Sequence, residues 1–302
     1  MKHVPVLLKE TIGALAVKRG GRYVDGTLGR AGHAREVVAA GGEVLGIDRD
    51  DQALAEVNAA KAGWPGGGRL TAVKGNHGDL KTIANENGWE DVDGILLDLG
   101  VSSPQLDEAD RGFSFQHDGP LDMRMDRSGG VTAADIVNGA DADRLERIFR
   151  EYGEEPQARR IARAIAARRG FRTTGDLAEF VERTVGRRGP HHPATRVFQA
   201  LRMEVNDEME ELERALAGGL DVLAHGGRFA VITFESLTDR VVKRFFAAHV
   251  GRMRSLQQGG EAWEGELPRV RAVTRRAVVA SDGEVNLNPR SRSAKLRVVE
   301  KE

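Results

Sequence analysis

Four short apolar segments, spaced by stretches of helical periodicity, constrain the first hundred residues more than any other feature of this chain. They are Arg22-Tyr23-Val24-Asp25, Val44-Leu45-Gly46-Ile47-Asp48, Leu70-Thr71-Ala72-Val73 and Ile95-Leu96-Leu97. A helix is expected around His33–Ala40, stopped by Gly41-Gly42. Another starts at Asp50 or Asp51 as cap and carries Ala53, Leu54 and Val57 at helical spacing. Such βαβ alternation requires a parallel sheet covered on both faces. From about Leu106 to Pro193 the pattern becomes loop and helix, with helical spacing over Leu145–Tyr152, Ala158–Arg168 and Leu177–Val185. A long helix is predicted from Thr195 to Ala217, with Val197, Leu201, Val205, Met209, Leu212 and Leu216 as its apolar stripe. Gly226-Gly227 leads into a buried strand over Arg228–Phe234, and a helix over Val241–His249 follows. A polar, mobile, glycine-containing loop is predicted over Arg254–Pro268, and strands over Ala277–Ala280 and Leu296–Val299. The fold class is therefore α/β: a discontinuous sheet domain over 1–105 and 194–302, interrupted by an all-helical insertion over 106–193.

The turn after the first strand, Asp25-Gly26-Thr27-Leu28-Gly29-Arg30-Ala31-Gly32-His33, spaces its glycines three apart. That differs from the Gly-x-Gly-x-x-Gly of dinucleotide sites. Asp25 at the strand end would repel a pyrophosphate and attract an ammonium. S-adenosylmethionine carries an ammonium and no phosphate, and its carboxylate suits the backbone N–H groups from Gly29 to the helix N-terminus. Asp48 ends the second strand nineteen positions after Gly29, where a carboxylate can accept from both ribose hydroxyls. The bland alternative is that Asp25 and Asp48 only cap helices. His77, in Gly75-Asn76-His77-Gly78-Asp79 after the third strand, is a candidate stacking surface for adenine, or simply part of a helix-capping turn.

Asp98-Leu99-Gly100-Val101-Ser102-Ser103-Pro104-Gln105 follows the fourth strand. A Ser-Ser-Pro turn at such a strand end can aim carbonyls and a hydroxyl at an exocyclic amino group. Asp98, Ser102, Ser103 and Pro104 are thus the candidate catalytic residues for methyl transfer to nitrogen, with Asp98, Ser102 or water as proton acceptor. The alternative is an ordinary turn. The 302 residues include no cysteine, which excludes thiolate zinc sites, iron–sulfur clusters and a cysteine nucleophile. Methylation at C5 of a pyrimidine needs such a thiolate and radical methylation needs such a cluster; methylation at nitrogen needs neither. No metal is implied.

These segments, with His3-Val4-Pro5-Val6-Leu7-Leu8, Asp110-Arg111-Gly112-Phe113-Ser114-Phe115, Gly119–Asp126, His192-Pro193-Ala194-Thr195-Arg196, Phe198-Gln199-Ala200 and Asn288-Pro289-Arg290, closely resemble the 16S rRNA cytosine-N4 methyltransferase family, called RsmH or MraW. The resemblance covers nearly the whole chain. It implies a class I, Rossmann-like methyltransferase sheet with a helical insertion, S-adenosylmethionine as donor, and a cytidine of the decoding centre as target. By matched position it implies cofactor contacts at Ala31, Gly32, His33, Asp48, His77, Asp98 and Gln105. Ala31 stands where the family commonly has glycine, His77 where it has phenylalanine, and Glu235 where histidine is expected.

The formal net charge is −1, so bulk charge selects no polyanion. Local charge does: Arg159, Arg160, Arg163, Arg168, Arg169 and Arg172 share a segment without carboxylates, and Arg290 belongs to an arginine-rich carboxyl-terminal tail. Arg159, Arg160, Arg163, His192, Arg196 and Arg290 are the candidate RNA grips; solvated helix faces are the alternative. Arg196 either meets a phosphate or pairs with a buried carboxylate such as Asp122 or Asp126, and Asp122, Arg124 and Asp126 read as an internal ion-pair latch or a substrate clamp. The expected partner is the small ribosomal subunit, and the expected location is the cytoplasm, since no apolar run is long enough for a bilayer span and the start lacks signal-peptide features. The long helix either carries a homodimer surface or spends its stripe covering the sheet. Two other functions compete: a dinucleotide-dependent oxidoreductase, disfavoured by the glycine spacing, and a non-catalytic RNA-binding assembly factor on the same fold.

Overall fold

The computed structural model describes residues 5–187, 189–255, 261–264 and 268–302. They form two compact units, Met1–Gly100 with Glu210–Glu302, and Val101–Met209. The first begins α1 (Leu8–Leu15), β1 (Arg22–Asp25), α2 (Gly32–Ala39), β2 (Glu43–Asp48), α3 (Asp51–Ala60), β3 (Leu70–Lys74), α4 (Leu80–Glu86) and β4 (Val92–Asp98). The second holds α5 (Ser103–Asp107), α6 (Ala133–Gly139), α7 (Ala142–Glu151), α8 (Ala158–Arg168), α9 (Thr174–Val185) and α10 (Ala194–Val205). The chain returns to the first unit along α11 (Glu208–Val222), then β5 (Leu223–Thr233) and α12 (Ser236–Val250). It ends with β6 (Arg252–Ser255), β7 (Glu261–Glu264), β8 (Val270–Ala272), β9 (Val278–Val279), α13 (Asp282–Leu287) and β10 (Lys295–Lys301).

The sheet order is β3-β2-β1-β4-β5-β10-β8, with β9 also paired to β10. β1 to β5 are parallel; β10 runs antiparallel to β5 and to both β8 and β9. This is the Rossmann-like α/β architecture expected from the alternation. Strand side chains alternate faces, and both faces are buried. Val24, Leu45, Ile47, Ile95, Leu97, Phe229 and Val231 pack with α4, α11 and α12. Val44, Leu70, Leu96, Ala230, Ile232 and Leu296 pack on the other side with α1, α2 and α3.

The helical unit has its own core, in which Leu145, Ile148 and Phe149 of α7 meet Ile161 and Ile165 of α8 and Val197 and Leu201 of α10. Its limits, Val101 and Met209, lie outside the 106–193 span expected from the sequence, because α5 and α10 belong to it. The single helix expected over Thr195–Ala217 is two. It breaks at Asn206-Asp207, where Asp207 takes a left-handed φ of +50°. Asn206 accepts from Met125 N–H (2.8 Å) and donates to Met123 O and Arg202 O (2.8 Å each), so a side chain rather than the next helical turn satisfies these groups. The stripe is divided accordingly: Val197 and Leu201 serve the helical core, while Leu212 and Leu216 serve the sheet.

The loop predicted over Arg254–Pro268 contains part of a hairpin, since β6 and β7 pair antiparallel with Met253 opposite Trp263. Residues 256–260 and 265–267 of that prediction lie outside the described residues. No described helix is long and apolar enough to cross a membrane.

Asn206→Ala removes three buried hydrogen bonds and should destabilise the protein by about 2–4 kcal/mol. Hydrogen exchange at the Met125 amide should accelerate most; unchanged protection there would contradict the assigned anchor.

Candidate active site

The strand order reverses at β1, whose neighbours are β2 and β4. In an open parallel sheet the crevice for a ligand lies there, beyond the carboxyl ends of the strands. Register places Asp25 of β1 beside Gly46 of β2 and Leu96 of β4, so Asp48 and Asp98 stand two residues further along on either side. Three strands thus deliver three carboxylates to one edge.

The turn after β1 fits between its neighbours by hydrogen bonds. Gly26 N–H donates to Leu96 O and Leu28 N–H to Ile47 O, both at 2.9 Å. Thr27, which the sequence reading passed over, joins the two sides. Its N–H donates to Asp25 Oδ1 at 3.2 Å, its hydroxyl also bonds Asp25, and its Oγ1 accepts from Asp98 N–H at 2.6 Å. Gly29, at φ +49°, turns its N–H onto Asp48 Oδ2 at 2.6 Å. Asp50 N–H reaches the other oxygen at 2.9 Å. Asp48 is therefore held by one backbone donor on each oxygen, with lone pairs left for ribose hydroxyls. Ala31 and Gly32 open α2, and His33 is buried in its first turn. A Cβ at position 32 would overlap Pro5 Cγ, so only glycine admits the Pro5 ring there.

Asp25 and Asp98 are electrostatically unusual. Burial first, then the charge of Asp48, push the Asp25 carboxyl up to about 7 against the opposing Thr27 bonds. Burial and the charge of Asp25 push Asp98 up to about 7. Asp98 keeps 27% of its side chain accessible, while its Oδ1 is shut off from solvent and has no partner. Among the described residues no lysine or arginine pairs with either carboxylate; the ionisable neighbour of Asp98 is His33, with Nδ1 3.7 Å from Oδ2. The crevice accordingly favours a cationic ligand. Burial also raises the Asp48 carboxyl.

His77 follows β3, and its Cβ lies 3.5 Å from where a Cβ of Gly26 would be, beside the same turn. Burial, with Arg49 and Arg214 nearby, lowers its pKa to about 3, so the ring is neutral. The capping alternative holds for its neighbour: Asn76 accepts from Gly78 N–H at 3.2 Å.

The first unit therefore brings together Asp25, Gly29, Ala31, Gly32, His33, Asp48, His77 and Asp98. Ser102, Ser103, Pro104 and Gln105 belong to the helical unit. There Ser102 and Gln105 form a capping box that starts α5: Ser102 N–H donates to Gln105 Oε1 (3.0 Å), and Gln105 N–H to Ser102 Oγ (3.5 Å). Arg159, Arg160 and Arg163 are exposed on α8 without an ion pair among the described residues, whereas Arg168 pairs with Asp176. His192 is not a free phosphate ligand: its Nδ1 accepts from Ala194 N–H at 3.2 Å, and Glu182 lies 3.4 Å from Nε2. Arg196 donates to Glu154 O at 3.1 Å. Of the two carboxylates suggested as its partner, Asp122 is instead gripped by both Arg124 Nε (2.7 Å) and Nη2 (2.9 Å), which makes that pair an internal latch, and Asp126 accepts from Ser128 N–H at 2.9 Å. Arg290 is exposed in the short helical turn Pro289–Ser293 that leads into β10.

A sequence model of the MraW methylase family matches residues 1–302. The chain is 49% identical over 305 residues to ribosomal RNA small subunit methyltransferase H of Carboxydothermus hydrogenoformans, covering 99% of this chain and 97% of that one. It is 49% identical to the protein of the same name from Geotalea daltonii, covering 99% and 98%. With that from Methylobacterium nodulans the identity is 50%, covering 99% and 90%.

Raised carboxyls give the ligand-free protein a signed pH dependence. Between the unfolded value of about 4 and the folded value of about 7, the native state holds more protons than the unfolded one. Stability therefore falls as pH rises through that window, by at most about 1.4 kcal/mol per pH unit for each group. Asp98→Asn should flatten the slope and raise the melting temperature at pH 8 relative to the parent. Parallel stability curves for the two proteins would refute the burial argument.

Proposed function

The chain belongs to the MraW methylase family, and from that premise we propose that it methylates the exocyclic N4 of a cytidine in the decoding centre, the P-site region, of 16S ribosomal RNA. It is an S-adenosylmethionine-dependent ribosomal RNA methyltransferase; the atom and the nucleotide are the finer part of the reading, and a ribosomal substrate assigns the reaction to the cytoplasm. One observation supports it above others: two carboxylates, the buried Asp25 and the partly accessible Asp98, share a crevice at the topological switch point with no lysine or arginine paired to either among the described residues.

The residues fit the donor. Its net positive charge matches the unneutralised pair, Asp48 offers acceptors for ribose hydroxyls, and the start of α2 offers N–H groups to a carboxylate. S-adenosylmethionine supplies an electrophilic methyl group on a sulfonium when bound. Asp25 attracts the ammonium end, and His77 gives a neutral ring as a wall for adenine.

The N4 lone pair of cytosine is delocalised into the ring, so N4 is a weak nucleophile and alignment matters most. Positioning contributes up to about 7–11 kcal/mol at the ideal limit. The target base must leave its stack to be reached. Once the new C–N bond forms, N4 is positively charged and sheds one proton, and Asp98 accepts it. Acceptors of the Ser102-Ser103-Pro104 turn draw on the amino hydrogens. Gln105 supports that turn through the capping box. Cysteine-free composition favours nitrogen over pyrimidine C5 as the target. Arg159, Arg160 and Arg163 hold the RNA backbone, with Arg196 and Arg290 as lesser contacts.

Mass mapping of small-subunit RNA from cells with and without the protein tests the reading. One N4-methylated cytidine should be lost on deletion and restored by the parent gene but not by Asp98→Ala. Methylation at another atom would overturn it, and a well-folded, donor-binding protein with no transfer would favour an assembly role. Replacing Arg159, Arg160 and Arg163 together with alanine should raise KM with little change in kcat. It should also lower the slope of log affinity against log salt by about 2.

A further inference from the structure

His33 is buried, with 5% of its surface exposed. Its Nε2 lies 3.0 Å from Val6 O. A carbonyl oxygen only accepts, so Nε2 carries a hydrogen whether the ring is neutral or charged. In the neutral ring, Nδ1 then bears a lone pair, and Nδ1 faces Asp98 Oδ2 at 3.7 Å. A lone pair facing an ionised carboxylate is repulsive. One proton on either side turns the contact into an attraction.

The anchor for this ring is a short segment with its own constraints. Pro5 packs on Gly32, next to His33 in sequence. Val6 O takes the His33 bond, and Leu7 N–H donates to Glu284 Oε1 of α13 at 2.7 Å. Leu7 adopts a left-handed φ of +52°, and its carbonyl accepts from Thr11 N–H at 2.8 Å. Ring position is thus fixed from the side opposite Asp98. Other ionisable groups around the pair are Asp25 of β1, whose charge acts on Asp98, Asp48 of β2, whose charge acts on Asp25, and Glu284 behind Leu7.

We infer that His33 is a positioning residue for Asp98: its imidazole, fixed through Nε2–H to Val6, holds a proton on Nδ1 toward Asp98 Oδ2 and keeps that carboxyl group ionised and oriented. An ionised Asp98 can take the proton that N4 sheds; a protonated Asp98 cannot. Through that ring His33 acts on the proton acceptor. The Pro5–Leu7 segment becomes part of the catalytic support through the ring it anchors. This inference rests on the reading of Asp98 as proton acceptor.

Two substitutions separate the two ends of the ring. His33→Gln keeps a donor near the Nε2 position for Val6 and leaves nothing at Nδ1. His33→Asn places an amide donor near the Nδ1 position and gives up Val6. In the full chain with saturating donor and small-subunit particles, His33→Gln should lower kcat about tenfold or more. The acidic limb of its kcat–pH profile should move to higher pH, while KM for S-adenosylmethionine changes less than about threefold. His33→Asn should restore the limb toward its parental position while melting at lower temperature. Superimposable profiles and equal kcat for the parent and His33→Gln would overturn the assignment.

A second measurement needs no change at His33 and no activity. In the ligand-free protein, the NMR titration of the His33 ring should show the Nε2–H tautomer and a midpoint lower by about one pH unit or more in Asp98→Asn than in the parent. Identical titrations in the two proteins would also overturn the assignment. If the parent protein methylates no cytidine, the functional reading fails, and this titration still decides whether His33 and Asp98 are paired.

Discussion

Negative charge buried at the carboxyl edge of β1, β2 and β4 is the constraint on which the rest of this structure turns. Burial raises the proton affinity of both Asp25 and Asp98; the charge of Asp48 adds to it at Asp25, and that of Asp25 at Asp98. Carboxylates withdrawn from water without a lysine or arginine partner destabilise a fold; they do not hold it together. Nothing in the packing of the sheet requires them, because the strands are already covered on both faces by apolar side chains. Their cost is offset when a cation enters, and that links the architecture to a positively charged donor more directly than the glycine turn does.

The fold can carry that cost because the carboxylates are restrained by backbone and hydroxyl donors that charge alone would not provide. Thr27 ties Asp25 to the backbone of Asp98, and Gly29 and Asp50 hold the two oxygens of Asp48. These donors depend on β1 lying between β2 and β4, with the turn after it hydrogen-bonded to both. Topology, turn geometry and electrostatics are therefore one arrangement. A sheet with β1 at an edge could not bring three strand-end carboxylates around a single turn.

Local periodicity made the sheet legible. The four strands, and the aspartates that end three of them, were readable because strand ends and turn residues are adjacent in sequence. What stayed hidden depends on partners far apart in the chain. Glu284 meets Leu7 across 277 residues, and Asp98 meets Thr27 across 71. Neither pairing leaves a local trace, although the Gly-Thr-x-Gly turn pointed to the right loop. The break at Asn206-Asp207 was missed because the apolar stripe continues through it in helical register, while the side chain that interrupts the helix bonds Met123 and Met125. For Arg196, both options considered were long-range, and one of the two carboxylates proposed for it, Asp122, is occupied by Arg124 from two positions away, while Arg196 itself donates to Glu154 O.

Backbone strain points to the same corner of the molecule. Leu7 and Ala31 both adopt left-handed conformations, at φ +52° and +57°, without the freedom of glycine. Each costs about 1 kcal/mol and persists only where neighbours overdetermine it. Here the neighbours are known. Ala31 N–H bonds Leu28 O and its carbonyl accepts from Arg35 N–H, while Leu7 is held by Glu284 and Thr11. Between these two residues lie the Pro5–Gly32 contact and the Val6–His33 hydrogen bond. Other described non-glycine residues, Met123 and Asp207 among them, also take left-handed φ; what marks this corner is that its two strained residues are locked by hydrogen bonds on either side of one buried imidazole. The turn after β1 and the segment that anchors His33 therefore meet at the Pro5–Gly32 contact and the Val6–His33 bond, so a change at either should be felt at Asp98.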